Sequence, residues 1–419
     1  MTIAFPRADF SRVPYAVFTD PGVHALEQER IFRGPSWLYL ALEAELPNPG
    51  DYRVTVAGES PVVVVRAADG TLGAFVNRCA HRGTLLVRNQ FGNAKDFTCV
   101  YHHWCYDQKG NLIGVPFLRG LKGKGGMPED FRLADHGLER LTVESYAGVI
   151  FGTFDPKVEP LADYLDQPMC AYLRRLFRKP IEILGYSRQR IPANWKLYYE
   201  NGQDAYHAGL LHQMSATFGL FRSTEKGGIA IDKHARHKVI HSIHGSDTRQ
   251  EAARAYNQVG YLDGTLRLND PLVFDFRDEV GDRRATNLMR LWPNAIFQQL
   301  SNTLATRQVR PRRHDEFEIY WTYFGYADDD ADLRLRRMKQ ANIVGAAGYS
   351  SMEDGEACRL VQAGIKGSEA AHSVIEMGGL GPIVAQDTTV TEVLVRGFWR
   401  EYCRHMGFPV AAAATESAA

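Results

Sequence analysis

Cysteine is scarce, at six in 419 residues. That is too few for a disulfide framework and points to reduced thiols available to metal. No stretch approaches the ~18 apolar residues of a spanning helix; the run "PVVVV" from Pro61 is of strand length. The opening "MTIAFPRADF" carries no long apolar segment, so no secretory signal is expected and a cytoplasmic location is read from it. Neither sign of charge dominates, with 49 Lys and Arg against 49 Asp and Glu. The balance leaves no basic surplus for nucleic acid and no acidic arm. A Gly-rich dinucleotide fingerprint is also missing. "LKGKGGMP" has glycines and lysines without phosphate-loop spacing and reads as a surface loop.

What is present suits a globular chain, with 45% hydrophobic and 23% charged residues. The length exceeds what one core usually reaches, roughly 250–300 residues, so two or three domains are expected. "DPGVHALEQERIF" (20–32) reads as a helix led by Asp20 and Pro21. From residue 37 to 155, short β-rich runs such as "YRVTVAG", "LGAFVNR" and "AGVIFGTF" alternate with Gly- and Asn-bearing turns, which predicts an all-β domain. "DPKVEPLADYL" is a linker entering a helix. Beyond it, "NAIFQQLSNTLATRQVRP" and "EFEIYWTYFGYA" predict long antiparallel strands around "RRHDE". Helices follow at "DDADLRLRRMKQANIV", "SSMEDGEACRLVQAGI" and "VTEVLVRGFWREYCRHM". The fold class is therefore α+β. The expected divisions are an N-terminal helical segment over 1–36 packing on the larger domain, a β-domain over 37–155, that larger domain over 156–410, and a frayed tail over 411–419.

"CAHRGTLLVRNQFGNAKDFTCVYHH" (79–103) presents Cys79 and His81, then Cys99 and His102, with 17 residues between the forks. Zinc in a Cys2His2 site is one reading. Mixed Cys/His forks instead suit a [2Fe–2S] cluster in which one iron takes two thiolates and the other two imidazoles. These residues, with "HRG" after the first fork, Trp104 after the second and "GNLIGVP" beyond, resemble the Rieske family. Two positions depart: Val100 and His103 stand where oxygenase-type loops often carry Pro and Gly. Respiratory-type relatives add a disulfide cysteine to each loop, whereas Thr84 and Tyr101 stand near those places here. Cys105 reads as a small buried hydrophobe.

"NWKLYYENGQDAYHAGLLH" (194–212) supplies a second constellation. His207 and His212 lie about 140° apart on a regular helix, so sharing a metal requires the helix to end or distort between them, with Gly209 placed to permit it. Asp204, three before His207, could hold that ring's other N–H. Two His and a carboxylate with open positions form the facial triad of mononuclear Fe(II) oxygenases. Candidates for the carboxylate are Asp354, its neighbour Glu353, and Asp387 in "VAQDTTVTE". Asp354 is favoured, although a capping box begun by Ser351 is its structural alternative.

The chain now resembles, over nearly its whole length, the large (α) subunit of Rieske non-haem iron ring-hydroxylating oxygenases. "GGMPEDF", "SMEDGE", "VIEMGG" and "VRGFW" point to the terephthalate, anthranilate and salicylate hydroxylating group. The resemblance implies a Rieske β-domain plus a helix-grip catalytic domain with an antiparallel sheet. Its cofactors would be a [2Fe–2S] Rieske cluster and mononuclear Fe(II). It further implies a homotrimer of α subunits, often with small β subunits, fed with electrons from NAD(P)H by a reductase, with or without a ferredoxin. Asp204 would carry the electron from a cluster His, at the position of His102 in a neighbouring subunit, to the iron. An aromatic carboxylate substrate calls for a cation, and Arg307 and Arg396 are candidates, with Asn201 also near the metal motif. The four His of "HARHKVIHSIHG" are expected to line a pocket or face solvent rather than bind a second metal. Rival functions are a monooxygenase or demethylase on another arene, a non-catalytic electron carrier, and a zinc-binding scaffold.

Overall fold

The computed structural model describes residues 3–257 and 266–411; the tail expected over 411–419 falls, from residue 412, outside the described residues. The chain divides into two compact units, Phe32–Leu161 and the remainder.

In the Phe32–Leu161 unit, a seven-stranded antiparallel sheet runs in the order Leu38–Leu42, Val149–Thr153, Arg140–Tyr146, Leu72–Val76, Ser60–Arg66, Asp51–Ala57, Phe91–Asn93. Val62 to Val65 are all fully buried, which is why that stretch reads as an unbroken apolar run instead of alternating. A three-stranded sheet of Asp96–Thr98, Cys105–Asp107 and Leu112–Gly114 lies within the same unit. Phe75, Phe97, Trp104, Tyr106 and both Cys79 and Cys99 belong to one apolar cluster. The two forks thus rest on packed hydrophobic material.

The larger unit is built on a second antiparallel sheet, ordered Ile181–Ile191, Glu316–Tyr326, Thr303–Arg313, Ala295–Leu300, Arg284–Leu291, Lys238–Ile243, Gly227–Ile231. The predicted helices appear as Ala331–Val344, Tyr349–Gly364 and Val393–Met406. One expectation is corrected. "NAIFQQLSNTLATRQVRP" is two strands, not one, because Ser301 takes φ 48° and a hairpin turns at Ser301–Asn302. Thr303–Arg313 then pairs with Glu316–Tyr326 around His314 and Asp315, as the "RRHDE" turn predicts.

The N-terminal segment docks on this larger unit. Arg12–Pro14 pairs with His372–Val374. Asp20 caps the helix Pro21–Glu27 by accepting from Gly22 N and Val23 N, leaving Pro21 at the first helical position, where its missing N–H costs nothing. At the far end of that helix the fully buried Glu27 accepts from Lys196 Nζ, Trp195 Nε1 (2.7 Å) and Tyr402 Oη (2.6 Å). A buried carboxylate needs such partners. Here they tie the N-terminal helix to the start of the helix Trp195–Asn201.

Candidate functional site

The two Cys/His loops repeat one backbone pattern. Cys79 N donates to Thr84 O and Gly83 N to Cys79 O; Cys99 N donates to Trp104 O and His103 N to Cys99 O, all four at 2.9 Å. Equivalent positions therefore hold Gly83 at φ 72° and His103 at φ 55°. His103 occupies left-handed space that favours Gly, and the loop keeps its closure regardless. Asn77 braces the first loop from beneath, accepting from Leu86 N and Val87 N and donating to Val87 O.

Cys79 and Cys99 are buried, while His81 and His102 are half-buried with ring centroids 4.5 Å apart. The loops thus present two thiols inside and two imidazoles toward the rim, the donor set of a mixed-ligand [2Fe–2S] cluster. His81 Nδ1 is buried without a hydrogen-bond partner, the state of a nitrogen reserved for a metal. Its ring stacks on Trp104 at 4.7 Å and 6°. Tyr106 Oη accepts from Ala80 N at 3.0 Å, which leaves its proton for Cys79 Sγ at 3.3 Å. Burial, then the neighbouring Cys79, push this phenol well above its ordinary range, so it remains a donor. All six cysteines are free, in keeping with the absence of a clamping disulfide, and Cys105 is half-buried.

In the larger unit the second constellation is carried by three helices. Asn194 caps Trp195–Asn201, and Asp204 caps Ala205–Leu211 by accepting from Tyr206 N (2.8 Å) and His207 N (3.2 Å). Asp204 is thus the cap preceding the helix instead of a residue on its face. The remaining oxygen of Asp204 lies 3.5 Å from His207 Nδ1. The required break falls at His212 itself, with φ −89° and ψ 67°, and not at Gly209. Gly209 is needed for a different reason: a Cβ there would lie 2.3 Å from Ser223 Oγ and 2.6 Å from Tyr256 Oη.

Asp354 enters from the helix Tyr349–Gly364. That helix starts two residues before Ser351, whose hydroxyl donates to Val344 O at 3.3 Å, so the capping-box alternative does not hold. His207 Nε2 and His212 Nε2 each lie 3.3 Å from Asp354 Oδ1. The three ligand atoms fall within 4.8 Å of one another. Glu353 turns the other way and meets His212 Nδ1 at 2.7 Å. Glu353 thus holds His212 on the nitrogen facing away from the triad, which fixes the tautomer a metal needs, while the Asp204 carboxylate faces His207 Nδ1 at 3.5 Å without closing a hydrogen bond. Asn201 Nδ2 donates to Asp354 Oδ1 at 3.2 Å. Asp387 is exposed and not in this cluster.

Electrostatics agree with a cation at this point. Burial would lower the His207 imidazole, yet Asp204 and Asp354 outweigh it and push it up to about 10. His212 is raised in the same way, against its burial, by Asp354 and Glu353. Asp354, despite full burial, is held far below the ordinary carboxylate range by the two imidazoles. A buried carboxylate facing two imidazoles at metal-ligand spacing fits iron well.

A pocket opens over the triad, walled by Leu220, Phe221, Ile240, Leu288 and Leu300, with Arg307 also lining it. Arg396 is not brought there: its guanidinium donates to the carbonyls of Asp9, Gly379 and Gly381, a structural use. In the His run, His237 is buried, donating from Nε2 to Tyr164 O and accepting from Trp292 N at Nδ1. The run forms no metal cluster among the described residues. The sequence reading missed Arg290, which lines the same pocket. Its signal was a lone cation in the apolar strand text "NLMRLW".

Comparison with known proteins gives the same picture. Residues 36–124 match the Rieske [2Fe-2S] domain, and residues 172–407 match the ring hydroxylating alpha subunit (catalytic domain). The chain is 47% identical to the anthranilate 1,2-dioxygenase large subunit of Burkholderia cepacia, over 97% of this chain and 96% of that one. It is 42% identical to the terephthalate 1,2-dioxygenase terminal oxygenase component subunit alpha 2 of a Comamonas species, over 95% and 96%. It is likewise 42% identical to the salicylate 5-hydroxylase large oxygenase component of a Ralstonia species, over 96% of each. Among solved structures, naphthalene 1,2-dioxygenase from a Rhodococcus species superposes with a TM-score of 0.77 at 26% identity, over 94% of both chains. With two metal-binding loops in one unit, a two-His-one-carboxylate cluster in the other, and this similarity along nearly its full length, the chain belongs to the ring-hydroxylating dioxygenase alpha subunits, whose cofactors are a Rieske [2Fe–2S] cluster and a mononuclear iron.

Proposed function

We propose that the protein is the terminal oxygenase of a multicomponent system that hydroxylates an aromatic carboxylate of the anthranilate, terephthalate or salicylate kind. For dihydroxylation the balance is arene plus O2 plus NAD(P)H plus H+ giving a dihydrodiol and NAD(P)+. A separate reductase, with or without a ferredoxin, would be the electron donor, since no dinucleotide fingerprint is present in the sequence. The observation that carries the reading is the triad of His207, His212 and Asp354 beneath an apolar pocket that also holds buried guanidinium groups.

In this reading Cys79, His81, Cys99 and His102 hold the cluster, and His207, His212 and Asp354 hold the iron. When bound, the cluster would supply one stored electron and the ferrous iron a second, together with the site of dioxygen reduction. Asp204 faces His207 Nδ1 with its carboxylate and is the residue through which a neighbouring subunit's cluster would be coupled, in a trimer of alpha subunits with or without small beta subunits. Glu353 holds His212 through Nδ1. Tyr106 donates to Cys79, which raises the tendency of the cluster to accept an electron. The apolar walls exclude water from the ring, and Arg307 faces the pocket with positive charge. The domain reading accompanies this one: 37–155 for the cluster, 156–410 for the iron, and 1–36 as a buttress of the latter.

The test is turnover of benzoate, anthranilate, salicylate and terephthalate with a reductase and NADH, followed by product mass. Gain of one or two oxygen atoms on one of these acids supports the reading. Oxidation of neutral arenes alone, or none in a protein with both centres loaded, rejects it.

A further inference from the structure

Two arginines face the iron-site pocket from one side of the sheet. Arg290 lies opposite Ile296, and Ile296 opposite Arg307, so the two form one cross-strand row. Both are at least nine-tenths buried, at 4% and 6% exposed. Among the described residues neither has a carboxylate in ion-pair range, although buried cations are ordinarily paired.

The two guanidiniums differ in what they already hold. Arg307 donates from Nε and Nη2 to Gln298 Oε1 and from Nη1 to Tyr198 Oη at 2.8 Å, and lies over the Trp321 ring at 4.3 Å. All three of its nitrogens have an acceptor. Arg290 makes one long contact, Nη1 to Leu288 O at 3.4 Å, and its Nε is buried with no partner. Its head is pressed against Gly202, where a Cβ would lie 2.8 Å from Nε and 3.1 Å from Nη2. The motif "ENGQD" thus keeps a bare backbone just where this guanidinium must sit between the sheet and the iron-bearing helices.

We infer that Arg290 is the residue that receives the substrate's carboxylate, and that Arg307 is a positioning residue holding Tyr198 and Gln298. The inference rests on the aromatic-carboxylate reading and deepens it. Arg290 lines the pocket with N–H groups on Nη1 and Nη2 that no acceptor of the protein takes at short range, a carboxylate accepts two parallel N–H bonds, and a pocket that excludes water strengthens the pair. With the carboxylate held at the sheet, the ring is directed along the apolar walls toward the triad. Arg290 thereby becomes a specificity-determining residue for acids over neutral arenes.

The test uses the resting, air-oxidised holoenzyme and calorimetric binding of benzoate, 2-aminobenzoate, 2-hydroxybenzoate and terephthalate. The tightest of these is then compared with its primary carboxamide, which keeps the shape and loses the charge. Arg290→Gln is expected to weaken the acid about 10- to 100-fold and the amide less than about threefold. Arg290→Lys should recover part of the loss. Arg307→Gln should weaken acid and amide together. Should Arg290→Gln fail to fold or to load iron, Gly202→Ala gives the second route: it displaces the guanidinium without removing it, and should lower the acid-over-amide preference with iron retained. Equal losses for acid and amide in Arg290→Gln, or loss of the acid preference in Arg307→Gln alone, would overturn the assignment while leaving the carboxylate reading intact. A wild-type protein with no preference for acid over amide would bring down the carboxylate reading itself.

Discussion

At the residue scale, Asp204 has two separable duties. One oxygen caps a helix and the other faces His207 Nδ1. Asparagine caps nearly as well as aspartate but is neutral, so Asp204→Asn should preserve the fold and both metal centres. Turnover is expected to fall at least about tenfold, because the imidazole loses its carboxylate. Unchanged turnover at full metal content would end the coupling role. Glu200, one helix earlier, is a different acid. Burial pushes its carboxyl up from 4.5 to about 8, with Asp204 and Glu392 adding to the rise while Trp399 and Lys196 oppose it. A carboxyl that binds its proton more tightly when folded contributes stability that is complete below about pH 4.5 and is lost as pH rises through about 8. Glu200→Gln, neutral throughout, should lose less stability than wild type between about pH 5 and about pH 9. The gap would be on the order of a few kcal/mol in thermal unfolding; parallel curves would refute it.

At the scale of elements, the site depends on helices that are held from behind. The helix Trp195–Asn201 starts at Trp195 and Lys196, both bonded to Glu27 of the N-terminal helix. Glu27→Ala would strand a buried ammonium and an indole N–H. A loss of about 3–5 kcal/mol follows from breaking a buried pair on one side, measurable by urea unfolding of the larger unit. Mononuclear iron should be depleted first, since Trp195–Asn201 leads directly into Asp204 and His207. A stability change under about 1 kcal/mol would mean that the N-terminal helix does not support the site.

At the scale of the whole molecule, the proposed ligands of the cluster and of the iron lie in separate compact units. They should therefore be separable by substitution. Asp354→Ala is expected to remove about one iron in three and to leave the visible cluster band and inorganic sulfide unchanged. Full iron retention would reassign the third ligand. Loss of the cluster band would mean that the units do not load independently.

Much of this is legible in the sequence, for reasons of range. Cys79, His81, Cys99 and His102 carry their chemistry in spacings of two and three residues, and tight loops preserve spacing. His207 and His212 are five apart, close enough for the chain itself to demand a helix break between them. Local pattern also fixed the helices at Ala331–Val344 and Val393–Met406. Tertiary structure alone decided the rest. Asp354 lies far along the chain from His207, and three acids were chemically equivalent until one helix packed inward. Arg307 and Arg396 read alike as cations, and only the sheet and the N-terminal loop showed one facing a pocket and the other holding carbonyls. Arg290 was a lone charge in apolar text, because an unpaired donor can be recognised only when every neighbour that could have paired it is in place.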